Sequence, residues 1–231
     1  MSDSNKNIQA INCAGFIMDG NRRWAHARNE STLNGHQAGE QKFHEVLNWV
    51  KEIGLPHVVF YAFSTENWMR EKTEVAYLME LFKVLLESIL REIHERKVRI
   101  KIIGRRTDFS AELQALIAEL EQISSQYSDQ TVWVALSYGG RAELVRACNQ
   151  AIAAGIAVDE NNFAQYLWTA GMPDPDLIIR TGGDMRLSNF LPWQSVYSEL
   201  FFTDTYWPAF TKDEFTRIVA QYGDRQRRRG K

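Results

Sequence analysis

The sequence lacks the features by which several large classes of protein are recognised. No apolar run approaches the roughly 18 residues of a membrane span, and residues 1–12 lack the basic-then-apolar layout of a signal peptide. Lys and Arg number 27 against 29 Asp and Glu, so the net charge of −2 carries no general nucleic-acid-binding signature. We therefore expect a protein that does not span a membrane and does not bind nucleic acid.

Cysteines are few, and the short motifs of common enzyme classes are missing. Cys13 and Cys148 have neither metal-binding nor redox spacing, which favours a cytoplasmic location. The chain has no P-loop, no G-x-G-x-x-G dinucleotide motif, no G-x-S-x-G nucleophile elbow and no H-E-x-x-H zinc helix. These absences argue against the nucleotide-binding, hydrolytic and zinc-dependent chemistries that depend on such motifs.

Apolar runs alternate with amphipathic helical patterns along the whole chain. The runs predicted as buried strands are 14–18, 57–63, 98–103, 132–136 and 177–179. Such alternation is typical of a mostly parallel sheet with helices on both faces. With 45% hydrophobic residues and no internal linker, we predict one α/β domain over residues 13–231 after a flexible N-terminus over residues 1–12.

Helices are predicted between these strands. The first begins at Gly35 after an irregular segment from His26, and a short helix is predicted over 161–170. The longest runs from Glu74 to Arg96, and apolar residues cover most of its surface. Either this helix lies in the centre of the core, or it also forms the wall of an apolar cavity.

The residues that follow the predicted strands are polar or rich in glycine and arginine. These strand ends lie at Asp19, Ser64, Gly104, Ser137 and Arg180. Parallel strands end at one edge of their sheet, and open sheets of this kind bind ligands there. We therefore expect the five segments to contribute to one site.

The segment from Phe16 to Ala25 carries the clearest signal for chemistry. A short apolar run ends at Asp19, turns at Gly20 and continues into Arg22 and Arg23. Guanidinium groups and free backbone N–H groups favour phosphate, and an acid beside them favours a divalent cation bound together with that anion. The sequence therefore predicts a phosphate site, with a solvated surface turn as the alternative.

A second set of oxyanion-binding residues follows the last predicted strand. Arg180, Arg186 and Ser188 could hold a second anion, or grip one diphosphate from the other side. His36, between glycines, either caps a helix or donates to a phosphate. Glu199 lies in apolar sequence, so its carboxylate needs either an ion-pair partner or a metal.

Seven blocks of the sequence resemble the signature blocks of the cis-prenyltransferases, most closely those of bacterial undecaprenyl diphosphate synthases. In family order they are Met18–Ala25, Gly35–Gly39, Tyr61–Trp68, Tyr138–Arg141, Ile179–Gly183, Arg186–Leu191 and Tyr197–Leu200. The resemblance implies an α/β domain with a central six-stranded sheet. It also implies condensation of isopentenyl diphosphate with an allylic diphosphate, such as farnesyl diphosphate, into a Z-polyprenyl diphosphate of the undecaprenyl lipid-carrier type.

The resemblance further implies Mg²⁺ as the cofactor and a homodimer. The aromatic residues between Trp193 and Phe210 are candidates for the dimer face. A transient contact with a membrane surface is expected when the product is released.

The family's residue roles carry over to matching positions. Asp19 and Asn67 are expected to be catalytic, Asn67 as the proton acceptor, and Asp19 and Glu199 are expected to hold Mg²⁺. The expected allylic diphosphate-binding residues are Gly20, Asn21, Arg22, Arg23, Trp24 and His36. A loop that closes on the substrate is expected to contribute the binding residues Ser64, Thr65, Glu66, Trp68 and Arg70. The residues expected to bind isopentenyl diphosphate are Arg180, Arg186, Leu187 and Ser188. A C-terminal tail is expected to reach the diphosphate across the dimer interface with Arg228 and Gly230.

The chain departs from the family pattern at a few positions. Cys13 replaces a histidine, and Thr32 replaces an arginine that helps to grip the allylic diphosphate. Ser137 and Trp133 replace commoner asparagines. Trp133 either points inward and shortens the product or packs in the core.

Alternative functions remain open. Because of Thr32, one alternative is a family member that makes a short or irregularly coupled product. A catalytically silent partner subunit and a phosphate-binding module are the alternatives from other classes. Both are disfavoured, because the acid and arginines of the first loop, Asn67 and Glu199 are all present.

Overall fold

The computed structural model describes residues 11–225 of the 231-residue chain. Residues 1–10 and 226–231 lie outside the described residues, and with them most of the predicted flexible N-terminus and both tail residues, Arg228 and Gly230. Ile11 is already buried in the core, and the backbone N–H of Asn12 donates to the Asp176 carboxylate at 2.7 Å. Within 11–225 no helix is both long enough and apolar enough to cross a membrane.

Six parallel strands form one sheet, which confirms the predicted fold class. In chain order they are β1 Cys13–Ile17, β2 His57–Ser64, β3 Arg99–Ile103, β4 Thr131–Tyr138, β5 Leu177–Arg180 and β6 Glu199–Phe202. Their spatial order is β3-β4-β2-β1-β5-β6, and every neighbouring pair is parallel. The predicted runs mark the first five strands. The half-buried edge strand β6 was not predicted as a strand, although residues 200–202 are apolar.

Six helices accompany the sheet over the described range. They are α1 Asn21–His26, α2 Thr32–Glu52, α3 Lys72–Arg96, α4 Ala111–Ser124, α5 Gly140–Ala153 and α6 Lys212–Asp224. Helix α2 begins three residues before the predicted start, because Ser31 caps it by accepting the Asn34 N–H at 3.2 Å. A 3₁₀ turn, Phe163–Tyr166, replaces the helix predicted over 161–170.

The two faces of the sheet have different covers. The first face, which carries Phe16 and Phe60 with their rings 5.1 Å apart, packs under α2, α3, α4 and α6. The second face carries Tyr61 and Trp133 and packs under the segments 168–172 and 187–191, while α5 packs with Phe163 in a smaller separate cluster. Trp133 is 3% exposed and belongs to this second core, so it packs in the core rather than pointing into the cavity described below.

Part of the aromatic stretch predicted as a dimer face lies in the interior. Phe201, Trp207 and Phe210 are buried in the first-face core, where the last two rings stack at 6.1 Å. The indole Nε1 of Trp207 donates to the Gly39 carbonyl at 2.8 Å. Tyr197 is 72% exposed, and Trp193, Phe202 and Tyr206 are partly exposed. The prediction is therefore wrong for the three buried residues, and for the other four aromatic residues it stays a prediction.

The strand order reverses direction between β1 and β5. From β1 the chain crosses through α2 to β2 on one side, whereas β5 connects to β6 on the other. Such a switch point leaves a crevice at the carboxyl ends of the two strands. Asp19 follows β1 at this crevice, and Arg180 is the last residue of β5.

Candidate active site

An ion-pair network lies at the switch point. Arg180 is 3% exposed and donates through Nη2 to Asp19 Oδ2 at 2.7 Å. Arg23 Nη2 lies 3.0 Å from the other oxygen, Asp19 Oδ1. The backbone N–H of Asp19 donates to Thr181 Oγ1 at 3.0 Å, which fixes the end of β1 to the end of β5. The predicted acid and two predicted arginines therefore lie together.

Asp184, which the family blocks did not assign a role, extends this network. Its carboxylate lies 2.9 Å from Arg186, 3.3 Å from Arg23 and 3.6 Å from Arg180. Slight desolvation of the Asp184 carboxyl is outweighed by the hydrogen bond from Arg186 and by the neighbouring guanidinium charges, so its pKa is lowered. Three guanidinium groups surround two carboxylates, and the excess positive charge favours a polyanion.

The second oxyanion-binding set shares a residue with the first. Arg180 Nη1 donates to Ser188 Oγ at 2.8 Å and also to the Arg186 carbonyl. Ser188 has a φ of 48° and Asn189 a φ of 67°, in the left-handed region that non-glycine residues adopt at a cost. Arg180 thus connects the two anion sites predicted separately.

Glu74 is a site residue that the sequence motifs do not mark. Its side chain is 11% exposed, and Oε1 accepts from Arg70 Nη1 at 2.9 Å and from His36 Nε2 at 3.0 Å. Arg22 Nη1 lies 3.9 Å from the other oxygen. Burial raises the pKa of Glu74, but the hydrogen bond from His36 and the charges of its arginines outweigh it and the pKa is lowered. The four-residue spacing from Arg70 at the start of α3 is the one signal that could have revealed it.

His36 is held as a donor to Glu74. Burial lowers the pKa of His36, and the hydrogen bond to Glu74 counters that shift only in part. The imidazole is therefore neutral near pH 7 and donates its Nε2 hydrogen to the carboxylate. This arrangement leaves Nδ1 facing away from the pair.

Two glycines around α1 allow the site to assemble. Gly20, the N-cap of α1, has a φ of 108°, and a Cβ on it would lie 2.7 Å from the Tyr206 ring. A Cβ on Gly35 would lie 2.2 Å from the Asn21 carbonyl oxygen. Only glycine at position 35 lets α2 approach the start of α1 this closely, which explains part of the Gly35–Gly39 block.

The segment 64–70 forms the opposite side of the site. A 3₁₀ turn, Thr65–Met69, has Ser64 as its N-cap. The backbone N–H of Ser64 donates to Asn67 Oδ1 at 3.0 Å. Glu66 Oε1 accepts from Asn189 Nδ2 at 2.9 Å. Asn67, the predicted proton acceptor, thus lies at the site, and its side-chain oxygen already accepts a hydrogen bond from the Ser64 backbone.

Two connected cavities follow from this arrangement. The polar cleft, about 520 Å³, contains these predicted residues in its lining: Asp19, Asn21, His36, Ser64, Glu66, Asn67, Arg70, Arg180 and Ser188. An adjoining opening adds Gly20, Arg22, Arg23 and Arg186. The apolar cavity, about 80 Å³, lies under the first face and is lined largely by leucine, phenylalanine and isoleucine of α3. The cleft and the cavity share Met18, Asn21, His36, Ala62 and Leu78, so the two adjoin each other.

Helix α3 therefore has both of the roles considered from the sequence. Leu86 and Ile89 are 2% exposed and belong to the first-face core, and both also line the apolar cavity. The wide apolar surface of the helix reflects this double contact.

Some predicted residues lie away from both cavities. Trp24 stacks under the Arg28 guanidinium at 4.2 Å. Leu187 packs against the second-face core, and Trp68 packs against the first-face core. Thr65 donates to its neighbour Glu66 at 3.2 Å. None of the four lines the polar cleft or the apolar cavity.

Glu199 is separated from Asp19, which corrects the predicted metal pair. Glu199 begins β6 in register with Leu177, and Leu177 pairs with Ala14 near the amino end of β1. Asp19 lies beyond the other end of β1, at least about 10 Å away along the strands. Ligands of one Mg²⁺ lie roughly 2 Å from the ion, so these carboxylates of one chain cannot share it. Glu199 instead accepts from Arg225 Nη1 at 2.5 Å.

The metal-binding capacity of the site therefore rests on Asp19. Within residues 11–225 no group of three or more Asp, Glu, His or Cys side chains is arranged to hold an ion. Mg²⁺ is usually bound by one or two carboxylates together with substrate phosphates and water. Asp19 beside a bound diphosphate matches this mode of coordination, whereas a site made of protein groups alone does not.

The fold places an anion-binding cleft beside an apolar cavity, an arrangement suited to a ligand with an anionic head and an apolar tail. Comparison with known proteins gives the family. A family model described as putative undecaprenyl diphosphate synthase matches residues 17–230. An isoprenyl transferase of Thermotoga maritima is 41% identical over 220 residues, which is 93% of this chain and 94% of that protein.

Two further relatives extend the comparison. The tritrans,polycis-undecaprenyl-diphosphate synthase (geranylgeranyl-diphosphate specific) of Pyrococcus horikoshii is 41% identical over 225 residues, 94% of this chain and 85% of that protein. The crystal structure of lavandulyl diphosphate synthase from Lavandula x intermedia in complex with dimethylallyl diphosphate matches with a TM-score of 0.91 and 30% identity, covering 96% and 98% of the two chains. This chain belongs to the undecaprenyl diphosphate synthase family of cis-prenyltransferases.

Proposed function

We propose that this cis-prenyltransferase condenses isopentenyl diphosphate with an allylic diphosphate, such as farnesyl diphosphate, and forms a Z-polyprenyl diphosphate of the undecaprenyl lipid-carrier type. The observation that carries the proposal is the continuity between the polar cleft and the apolar cavity at Met18, Asn21 and His36. An allylic diphosphate has this same division between head and tail. Its diphosphate lies at Arg23 and Arg180, and its hydrocarbon lies under the first face.

The residues of the ion-pair network stabilise the leaving diphosphate in this proposal. Ionisation of an allylic diphosphate concentrates negative charge on the leaving group, and preorganised guanidinium groups stabilise that charge. In the structure, Arg23 and Arg180 donate to the Asp19 carboxylate. When the diphosphate binds, its oxygens replace Asp19 as the acceptors of these hydrogen bonds. Arg186 and Ser188 hold the isopentenyl diphosphate, and the apolar cavity excludes water from the reacting carbons.

Asn67 is the proposed proton acceptor. It lines the polar cleft, but its Oδ1 accepts the Ser64 backbone N–H in the structure. To accept a proton from the substrate, the Asn67 oxygen must leave this hydrogen bond. A change in the 3₁₀ turn over 65–69 on substrate binding is therefore part of the proposal.

Mg²⁺ is the proposed cofactor, and Asp19 together with diphosphate oxygens would hold it. When bound, it would neutralise charge on the departing diphosphate. Glu199 could take part only from a second copy of the chain, because within one chain it lies too far from Asp19. A homodimer is accordingly part of the proposal, and light scattering after gel filtration tests it.

A short-chain or irregular coupling activity is the second candidate. Two structural observations favour it: the TM-score of 0.91 with the lavandulyl diphosphate synthase, and the small apolar cavity of about 80 Å³. Ligand pockets usually exceed roughly 300 Å³, so a long product requires this cavity to widen. Thr32, in place of an arginine at the allylic site, also fits a changed allylic partner.

A product assay separates these proposals. Purified protein is incubated with Mg²⁺, labelled isopentenyl diphosphate and one primer at a time: dimethylallyl, geranyl, farnesyl or geranylgeranyl diphosphate. A further incubation contains dimethylallyl diphosphate alone, and all products are dephosphorylated and sized by reverse-phase chromatography. A ladder ending near the undecaprenyl length supports the first proposal, and one ten-carbon branched product supports the second. No product from any primer contradicts both and favours the silent partner subunit.

A further inference from the structure

A partly buried hydrogen-bond relay joins three segments at the carboxyl edge of the sheet. Trp68 Nε1 donates to Ser137 Oγ at 2.8 Å, and Ser137 Oγ donates to the Asp108 carboxylate. An indole N–H can only donate and an ionised carboxylate can only accept, so the direction of both bonds is fixed. Ser137 is 0% exposed. Its one hydroxyl proton and one of its lone pairs are therefore committed to the relay.

An irregularity of the sheet places Ser137 for this contact. The register between β2 and β4 shifts, so that Leu136 and Tyr138 pair with consecutive residues of β2 and Ser137 is left over. Its φ of 46° lies in the left-handed region, where a non-glycine residue is held only by its surroundings. Bulges beside functional sites re-aim side chains, and this one directs the Ser137 hydroxyl to Trp68.

Trp68 fixes the segment that borders the polar cleft. Its ring packs edge-on against Phe63 at 5.0 Å between centroids and tilted against Phe109 at 6.0 Å. The indole itself does not line the cleft, but Asn67 and Arg70 beside it do. The relay therefore acts one residue away from the proposed proton acceptor.

We propose that Ser137, braced by Asp108, is a positioning residue for the condensation: it holds Trp68 and so determines where Asn67 and Arg70 stand in the polar cleft. This inference rests on the proposed function. The competing view is that Ser137 only accepts the hydrogen bond of a half-buried indole and stabilises the fold. A purely stabilising role predicts a lower melting temperature with unchanged turnover.

Single variants at three positions separate positioning from stability. Ser137→Ala and Ser137→Gly both delete the hydroxyl, but glycine also relieves the left-handed backbone. Trp68→Phe removes the indole N–H and keeps an aromatic ring. Ser124→Ala is the matched control, because Ser124 is also 0% exposed and its hydroxyl accepts the Ile100 N–H at 3.0 Å, outside the cleft.

We expect kcat to fall about tenfold or more in Ser137→Ala, Ser137→Gly and Trp68→Phe, since small displacements of reacting groups are costly, while the KM for isopentenyl diphosphate changes little. The double variant Ser137→Gly/Trp68→Phe loses no more than either single one, because both remove the same bond. Ser137→Asn, whose amide oxygen can accept the indole N–H, restores turnover. Ser124→Ala lowers only the melting temperature. Wild-type kcat in Ser137→Gly, or additive losses in the double variant, overturns the proposal.

Hydrogen exchange tests the relay independently of turnover. Backbone amides of residues 64–70 should exchange faster in Ser137→Gly than in wild type or in Ser124→Ala, because the segment has lost an anchor. Unchanged exchange there overturns the relay even if the enzyme is active. Conversely, a wild-type protein without turnover contradicts the proposed function, while the exchange result still decides whether Ser137 positions the segment.

Discussion

Removal of the Asp19 carboxylate should cost both activity and stability, and the two losses have different origins. Asp19→Ala deletes the acid proposed to act with the diphosphate. It also leaves Arg180, whose side chain is 4% exposed, without its 2.7 Å partner. Loss of a group that stabilises developing charge typically lowers turnover about a hundredfold or more.

The stability loss can be worked out from the contacts of Arg180. Removal of one partner of a fully buried ion pair costs about 3–5 kcal/mol. Asp19 is 30% exposed, and Asp184 lies 3.6 Å from Arg180 as a replacement partner, so the loss should be smaller. We expect about 1–2 kcal/mol, which for a chain of this size is a fall of roughly 2–8 °C in melting temperature.

Asp19→Asn is the matched variant for this prediction. Its amide oxygen still accepts from Arg180, so the melting temperature should fall by about half as much or less, whereas the activity should be lost to the same degree. Far-UV circular dichroism, thermal melts and the product assay measure the two effects separately. An unchanged melting temperature in Asp19→Ala refutes the stabilising role, and more than a tenth of wild-type turnover refutes the catalytic one.

Three further predictions follow from the site. Glu74→Gln weakens the charge-assisted bonds to Arg70 and His36 and should lower kcat/KM for the allylic substrate about tenfold; unchanged kcat/KM contradicts it. Gly35→Ala places a methyl group in the path of the Asn21 carbonyl and should destabilise the chain by about 1–3 kcal/mol in urea unfolding, with the exposed Gln37→Ala as control. Burial lowers the pKa of His36 from 6.5, so the unfolded chain binds more protons below about pH 6.5 and stability falls with acid. His36→Gln should reduce that slope between pH 7 and 5, and an identical slope argues against it.

The local parts of the site were predictable because their signals are local. A strand that is followed by Asp19, Gly20 and a pair of arginines predicts an anion site from residue type alone. The alternation of strands and helices also predicts that Asp19, Ser64 and Arg180 share one edge, and the parallel sheet confirms it. Helix α1 was missed because six residues are too few to show a helical period.

The rest depends on contacts between segments far apart in the chain. Asp184 belongs to the site only because its loop folds back onto Arg23, 161 residues earlier. The resemblance assigned Glu199 to the metal, but a motif does not report how far along a strand its residues lie. One strand register, Leu177 beside Glu199, removes it from the site of its own chain.

Under the proposed function, the topology also determines the direction in which a substrate would lie. The reversal of strand order between β1 and β5 brings Asp19 and Arg180 together, so the head group belongs at this edge of the sheet. Side chains alternate between the two faces of a strand. Ile17 ends β1 and Met18 follows it, and of these two only Met18 lines the apolar cavity under the first face. The second face is closed by its own packed core. A tail can therefore leave the head-group site only toward α3, whose apolar surface is continuous with the cleft at Leu78. Growth of a product beyond the small cavity must then be accommodated between α3 and the first face.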